Sequence, residues 1–220
     1  MSILDKFLAA TAEIWAEYNK HPFVKGIEDG TLAKEKFRHY MIQDYLYLID
    51  YGKVFAIGMA KAKSTESRQL FSAYIRSISE CEMDTHRGYM GIMGISHDEI
   101  EKSKMALDNL SYTSYMLRVA YEEGEAEIVA AILSCAYSYE VIAKKILENN
   151  PEAAKHSFYG AWVNSYAGEE YHKDNVVLID WMEKLAKDYN EEQVQHLVDI
   201  FVACSRYELD FWEMAWSLKG

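Results

Sequence analysis

Apolar positions recur at three- and four-residue intervals along most of the chain, and no segment shows convincing strict alternation. At about 100° per residue this spacing marks amphipathic helices rather than half-buried strands. Start and stop signals divide the pattern. A first helix is predicted over about 3–19, ending before His21-Pro22, and Thr31 can cap a long second helix that runs to about Lys61. Ser64 opens a third that continues to about Met93, and Ser96 with Glu99 has capping-box spacing for a short fourth. Two more fit about 112–123 and 125–148, with Gly124 between them. Asn150-Pro151 reads as an N-cap and first helical position, with helices following over about 152–166 and 169–187. Asn190 with Gln193 caps the last, which runs to about Leu218. Only two prolines, no Gly/Ser-rich linker and no internal repeat interrupt the series, so the expectation is an all-α single domain over 1–220.

Composition narrows the function. A chain of 220 residues can bury one sizeable core, and 50% hydrophobic with 14% aromatic content argues against disorder. The formal charge of −12, from 35 acidic and 23 basic residues, repels phosphate backbones and argues against nucleic acid or an anionic membrane as partner. A neutral or cationic small molecule fits better. No run approaches the roughly 18–20 consecutive apolar residues of a membrane span, and Met1–Lys6 lacks the features of a secretory signal. Cys81, Cys135 and Cys204 have no CxxC spacing, which suits reduced thiols in the cytoplasm.

Three helix faces carry polar groups where apolar ones are expected. Asp44 shares the stripe of Phe37, Tyr40, Tyr47, Leu48, Tyr51 and Phe55. A carboxylate there loses hydration unless a partner replaces it. Cys135 lies on the stripe of Ile128, Ala131, Ile132, Tyr139, Ile142 and Ile146, with Tyr139 one turn on. Glu208 aligns with Val194, Leu197, Phe201, Ser205 and Trp212. Each alone has a plainer reading: a helix-packing carboxylate, a small buried hydrophobe, an ion pair across helices. Two inward carboxylates and an inward thiol among tyrosines point together to a site. A di-iron centre needs two Glu-x-x-His pairs, and the chain offers Glu169-x-x-His172 alone; Glu80, Glu82, Asp84 and His86 read as a solvated face. No metal and no haem is therefore expected.

The blocks Gln43-Asp44-Tyr45-Leu46-Tyr47-Leu48, Ser111-Tyr112-Thr113-Ser114-Tyr115-Met116, Cys135-Ala136-Tyr137-Ser138-Tyr139 and Tyr207-Glu208-x-x-Phe211-Trp212 stand in an order and at separations that resemble thiaminase II, the TenA family. The resemblance extends over nearly the whole chain, and Cys135 places it with the Cys-containing group. It implies a haem-oxygenase-like all-α fold without haem, a homotetramer, no cofactor, and hydrolysis of an aminopyrimidine to ammonia and a hydroxymethylpyrimidine for thiamin salvage; many members also cleave thiamin. Carried over by position, Cys135 would be the nucleophile and Glu208 the general acid/base. Asp44 would bind the amidine-like edge of the substrate and Tyr47 would support the thiolate, while Tyr112, Tyr139 and Tyr166 would line or hydrogen-bond the pocket. The chemistry suits these groups: a thiolate adds to an electron-poor ring, and an acid protonates the departing amine. Two other classes stay open on the residues alone: a non-catalytic pyrimidine- or thiamin-binding protein and a metal-dependent oxidase.

Overall fold

The computed structural model describes residues 1–79 and 83–220, without the side chains of 83–85. Eleven α-helices occur among the described residues: α1 Ile3–Lys20, α2 Pro22–Glu28, α3 Lys34–Lys61, α4 Thr65–Ser77, α5 Met83–Met93, α6 His97–Lys102, α7 Leu107–Glu122, α8 Glu125–Asn149, α9 Gly160–Ala167, α10 Glu169–Ala186 and α11 Glu191–Ser217. No strand is found among those residues. The all-α expectation holds, and the differences in detail have local causes.

The start of α3 is one. Gly30 adopts φ 70°, a left-handed turn open to glycine without steric cost. The turn sends both Thr31 N and Leu32 N to the carbonyl of Gly26. Helix α3 then begins after Ala33, so Thr31 does not cap it. The expected helix over 152–166 divides into a 3₁₀ turn, Pro151–Lys155, and α9. His156 is responsible: its Nδ1 accepts from Phe158 N at 3.1 Å and Tyr159 N at 3.0 Å. That local bond competes with helix continuation, as side-chain-to-backbone bonds do elsewhere. Helix α7 begins at Leu107, earlier than expected, and α2 was not anticipated. The expected helix over 64–93 corresponds to α4 and α5; Glu80, Cys81 and Glu82 lie outside the described residues, as does the side chain of Asp84.

Helix α8 is the axis of the bundle. Every residue from Ile128 to Leu133 is fully buried, because α1, α7, α9, α10 and α11 pack around it. Its length and mean hydropathy match those of a membrane span although it holds no long uninterrupted apolar run, and 78% of the matching window is buried inside the fold. An all-round apolar helix is what a central core position requires.

Helix α11 is locked to this axis by polar bonds inside the core. Ser205 Oγ accepts from Trp15 Nε1 at 3.0 Å and lies 3.0 Å from Ser134 Oγ, while the Ser205 carbonyl accepts from Tyr18 OH at 2.5 Å. These bonds join α1, α8 and α11 one turn before Glu208. They set the rotation of α11 and therefore the direction in which Glu208 points.

The α3–α4 contact depends on a missing side chain. A Cβ placed on Gly58 would lie 2.4 Å from the Phe71 ring. Phe71 is fully buried and set edge-on against Trp181, at 4.6 Å between centroids, so it cannot swing away. Gly58→Ala is expected to lower Tm: overpacking costs about 1–3 kcal/mol, against a helix-propensity gain of no more than about 1 kcal/mol. Gly52→Ala on the same helix, where the added Cβ meets nothing within 4 Å, is expected to raise Tm. Thermal unfolding of both variants checks the pair, and equal shifts would refute the packing argument.

Candidate active site

A cavity of about 330 Å³ opens between α3, α8, α9 and α10, with α4 and α5 at its side. Asp44, Tyr47, Cys135, Tyr139 and Tyr166 all line it. Five of the seven residues singled out from the sequence thus face one space. Tyr166 reaches it from α9, its ring tilted onto Tyr139 at 4.8 Å between centroids.

Asp44 is 5% exposed and pairs with His86, whose Nε2 lies 2.6 Å from Asp44 Oδ2. The partner is neither Lys nor Arg, and it does not draw Asp44 away from Cys135. His86 is the main site residue that the sequence pattern hides, since Glu80, Glu82, Asp84 and His86 read together as a solvated face. His86, Tyr89 and Met90 are all buried, and their i, i+3, i+4 spacing is the signal that could have identified an inward face. The pairing occupies one carboxylate oxygen with a short hydrogen bond. Asp44 retains a second oxygen for a ligand.

Glu208 and Tyr112 do not line the cavity. Both stand just behind its wall, because α7 and α11 pack on the outer sides of α3 and α8. Tyr112 lies against Tyr47 at 5.2 Å and Tyr207 at 5.7 Å between centroids. Its hydroxyl faces Glu208 and Cys135 rather than the open space. Glu208 is 2% exposed. Burial raises its pKa from an ordinary 4.5 to about 8, and the negative field of Asp44 adds to the rise; the Tyr112, Tyr139 and Cys135 side chains offset part of it. That offset is incomplete, since neither Glu208 Oε1 nor Tyr112 OH has a hydrogen bond of ordinary geometry. A buried carboxyl with such a pKa carries its proton at neutral pH and can still release it.

Cys135 is 8% exposed and borders the cavity within reach of Glu208. Cys204, one turn before Glu208, is fully buried, and burial together with the Glu208 carboxylate holds its thiol far above the ordinary range. It stays a neutral packing group. The Tyr47 ring faces the cavity beside Cys135, but its hydroxyl is directed at Met116 Sδ, 3.5 Å away. Burial pushes its pKa well up, so Tyr47 remains a neutral donor. The Glu169-x-x-His172 pair separates: Glu169 meets Lys173, whereas His172 Nδ1 lies 2.6 Å from buried Glu140. Among the described residues no group of three or more His, Cys, Asp and Glu is placed to hold a metal ion.

These features define a haem-oxygenase-like helical bundle in which carboxylates and a thiol converge on a small-molecule cavity. The chain belongs to the TENA/THI-4/PQQC family, whose model matches residues 8–218. It is 40% identical over 217 residues to the aminopyrimidine aminohydrolase of Halalkalibacterium halodurans, an alignment covering 99% of this chain and 96% of that protein. The aminopyrimidine aminohydrolase of Helicobacter pylori is 40% identical over 203 residues, covering 92% and 93% of the two chains. Among solved structures, the TenA homologue protein from P. horikoshii OT3 matches with a TM-score of 0.89 at 29% identity, over 99% of each chain.

The Glu208 environment has a consequence for stability. Its folded pKa lies above its unfolded value, so the folded state retains a proton that the unfolded chain releases between about pH 4.5 and 8. The contribution is fully present below about 4.5 and is lost as pH rises through that window, at up to about 1.4 kcal/mol per pH unit. Glu208→Gln removes the titration. Urea unfolding across this window is expected to show a shallower loss of stability for the variant; identical slopes would mean that Glu208 titrates normally.

Proposed function

We propose that the chain is an aminopyrimidine aminohydrolase of thiamin salvage, and that it hydrolyses 4-amino-5-aminomethyl-2-methylpyrimidine through Cys135. The observation that carries this reading is the meeting of a thiol and a carboxylate with an oxygen to spare at one cavity, with a high-pKa carboxyl just behind its wall. Its volume of about 330 Å³ lies at the small end of ligand pockets, as a single heterocycle requires. Tyr139 and Tyr166 offer flat faces to the ring. Asp44, steadied by His86, accepts from the amidine-like edge.

In the fraction of molecules with Glu208 ionised, the Cys135 thiol passes its proton to that carboxylate, and the thiolate adds to an electron-poor ring carbon. The electrons pushed into the ring expel the exocyclic amine, which takes the proton from Glu208 and leaves as ammonia. Water then adds to the exposed methylene, giving up a proton to Glu208. The ring regains aromaticity by expelling the thiolate, which recovers its proton. The net change is one water consumed and one ammonia released. A group near pKa 8 serves both directions of transfer at neutral pH.

The decisive test compares thiamin with the aminomethylpyrimidine in steady state, using wild type and Cys135→Ser. The expected result is a larger kcat/KM for the aminopyrimidine. Loss of at least about 100-fold in kcat on Cys135→Ser with binding retained would support the nucleophile. Binding without turnover in the wild type would identify a non-catalytic binding protein. We also propose a homotetramer; Leu107, Leu110 and Tyr121 on α7 and Ile49 on α3 leave apolar surface exposed for it. Light scattering coupled to size exclusion is expected to give four times the chain mass of 25.4 kDa, and a monomer mass overturns that assembly.

A further inference from the structure

The chain of buried donors behind the cavity has a defined direction. Trp162 Nε1 donates to Tyr40 OH at 3.2 Å, and Tyr40 OH donates to Tyr139 OH at 3.4 Å. An indole N–H can only donate. Tyr40 oxygen therefore accepts from Trp162 and its single proton is turned toward Tyr139. Tyr139 oxygen in turn accepts, and its own proton is left to point onward. Glu208 lies within interaction range on that side, and its buried Oε1 has no hydrogen bond of ordinary geometry.

The rings that hold these atoms are fixed. Tyr40 is fully buried and lies nearly parallel to Trp212, at 5.7 Å and 16°. Phe23 and Phe37 flank it at 5.4 and 5.5 Å between centroids. Tyr139 packs on both Trp162 and Trp212, at 6.0 and 5.3 Å. Trp212 sits one turn after Glu208 on α11, so the same aromatic cluster seats the relay and the carboxyl. Tyr40 itself does not line the cavity and has no reach to a ligand in it.

We propose that Trp162 and Tyr40 form a one-way hydrogen-bond relay that aims the Tyr139 hydroxyl at Glu208, which makes Tyr40 a positioning residue for the acid–base group of the reaction. The role in the reaction rests on the function proposed above; the relay rests on the geometry. Polarisation passes along such a chain, so each donor upstream strengthens the last bond. The ionised form of Glu208 is the form that this last bond favours. Among the described residues, the other ionisable groups facing Glu208 are Tyr18 on α1, Asp44 and Tyr47 on α3, Tyr112 on α7, Cys135 on α8 and Cys204 on α11. None of them is a cation, so hydrogen-bond donors provide the counterbalance. The 3.4 Å step is long for a hydroxyl pair, which limits the effect to part of a pH unit.

The test follows the infrared C=O band of the protonated Glu208 carboxyl through a pH titration, with Glu208→Gln to assign the band. This measurement needs no substrate. Tyr40→Phe keeps the ring and removes the hydroxyl; the titration midpoint is expected to rise by about 0.3–1 pH unit, the size that a weakened neutral hydrogen bond transmits. Tyr139→Phe is expected to shift it further in the same direction. The pH limb of kcat assigned to Glu208 should move with Tyr40→Phe by the same amount, with little change in KM. Should Tyr40→Phe fail to fold, Trp162→Phe carries the same expectation at smaller size. A band that titrates in the relay variant as in wild type overturns the proposal, even in an active aminohydrolase. A shifted band in a protein without turnover keeps the relay and removes its catalytic meaning.

Discussion

The desolvation of Glu208 is the constraint on which the rest of the site depends. A carboxylate deep among aromatic rings loses hydration worth several kcal/mol, and among the described residues no cation is placed to replace it. The fold meets this by letting the group keep its proton and by surrounding it with hydroxyls and a thiol. That arrangement is only possible if α11 is held in one rotation. Ser205, bonded to Trp15, Tyr18 and Ser134, holds it there from inside the core. A site of this kind therefore needs its supporting bonds as much as its reacting groups.

Asp44 and Glu208 show how environment separates two carboxyl groups. Asp44 faces the cavity and hydrogen-bonds an imidazole at 2.6 Å. Glu208 faces tyrosines and Cys135, and its proton is held to about pH 8. The same logic separates the two described cysteines. Cys135 borders the cavity near an acceptor, whereas Cys204 is enclosed by apolar neighbours and the Glu208 carboxyl, and stays a thiol.

Much of the architecture could be read along the chain. The stripe containing Cys135 and Tyr139 and the one containing Ser205, Glu208 and Trp212 are buried as the periodicity implied. The Asn190–Gln193 capping box is formed. Where the reading failed, a nonlocal or local bond outweighed the pattern. Thr31 lost its capping role to the turn at Gly30, and His156 interrupted the helix expected over 152–166. His86 was missed because its charged neighbours in sequence dominated the pattern, while the residue that explains it lies 42 positions away. Tyr40 was visible only as one more aromatic on a stripe.

The sequence by itself determined which side chains turn inward, because helix phase is a property of local spacing and 3.6 residues per turn leave little freedom. It also carried the blocks that mark the family. Only the tertiary structure decided which inward groups share a space. Asp44, Cys135 and Tyr166 reach the cavity from three helices, Tyr112 and Glu208 stop behind its wall, and Glu169 and His172 turn to different partners. Such choices depend on how helices rotate and pack against one another, and those contacts join residues far apart in the chain.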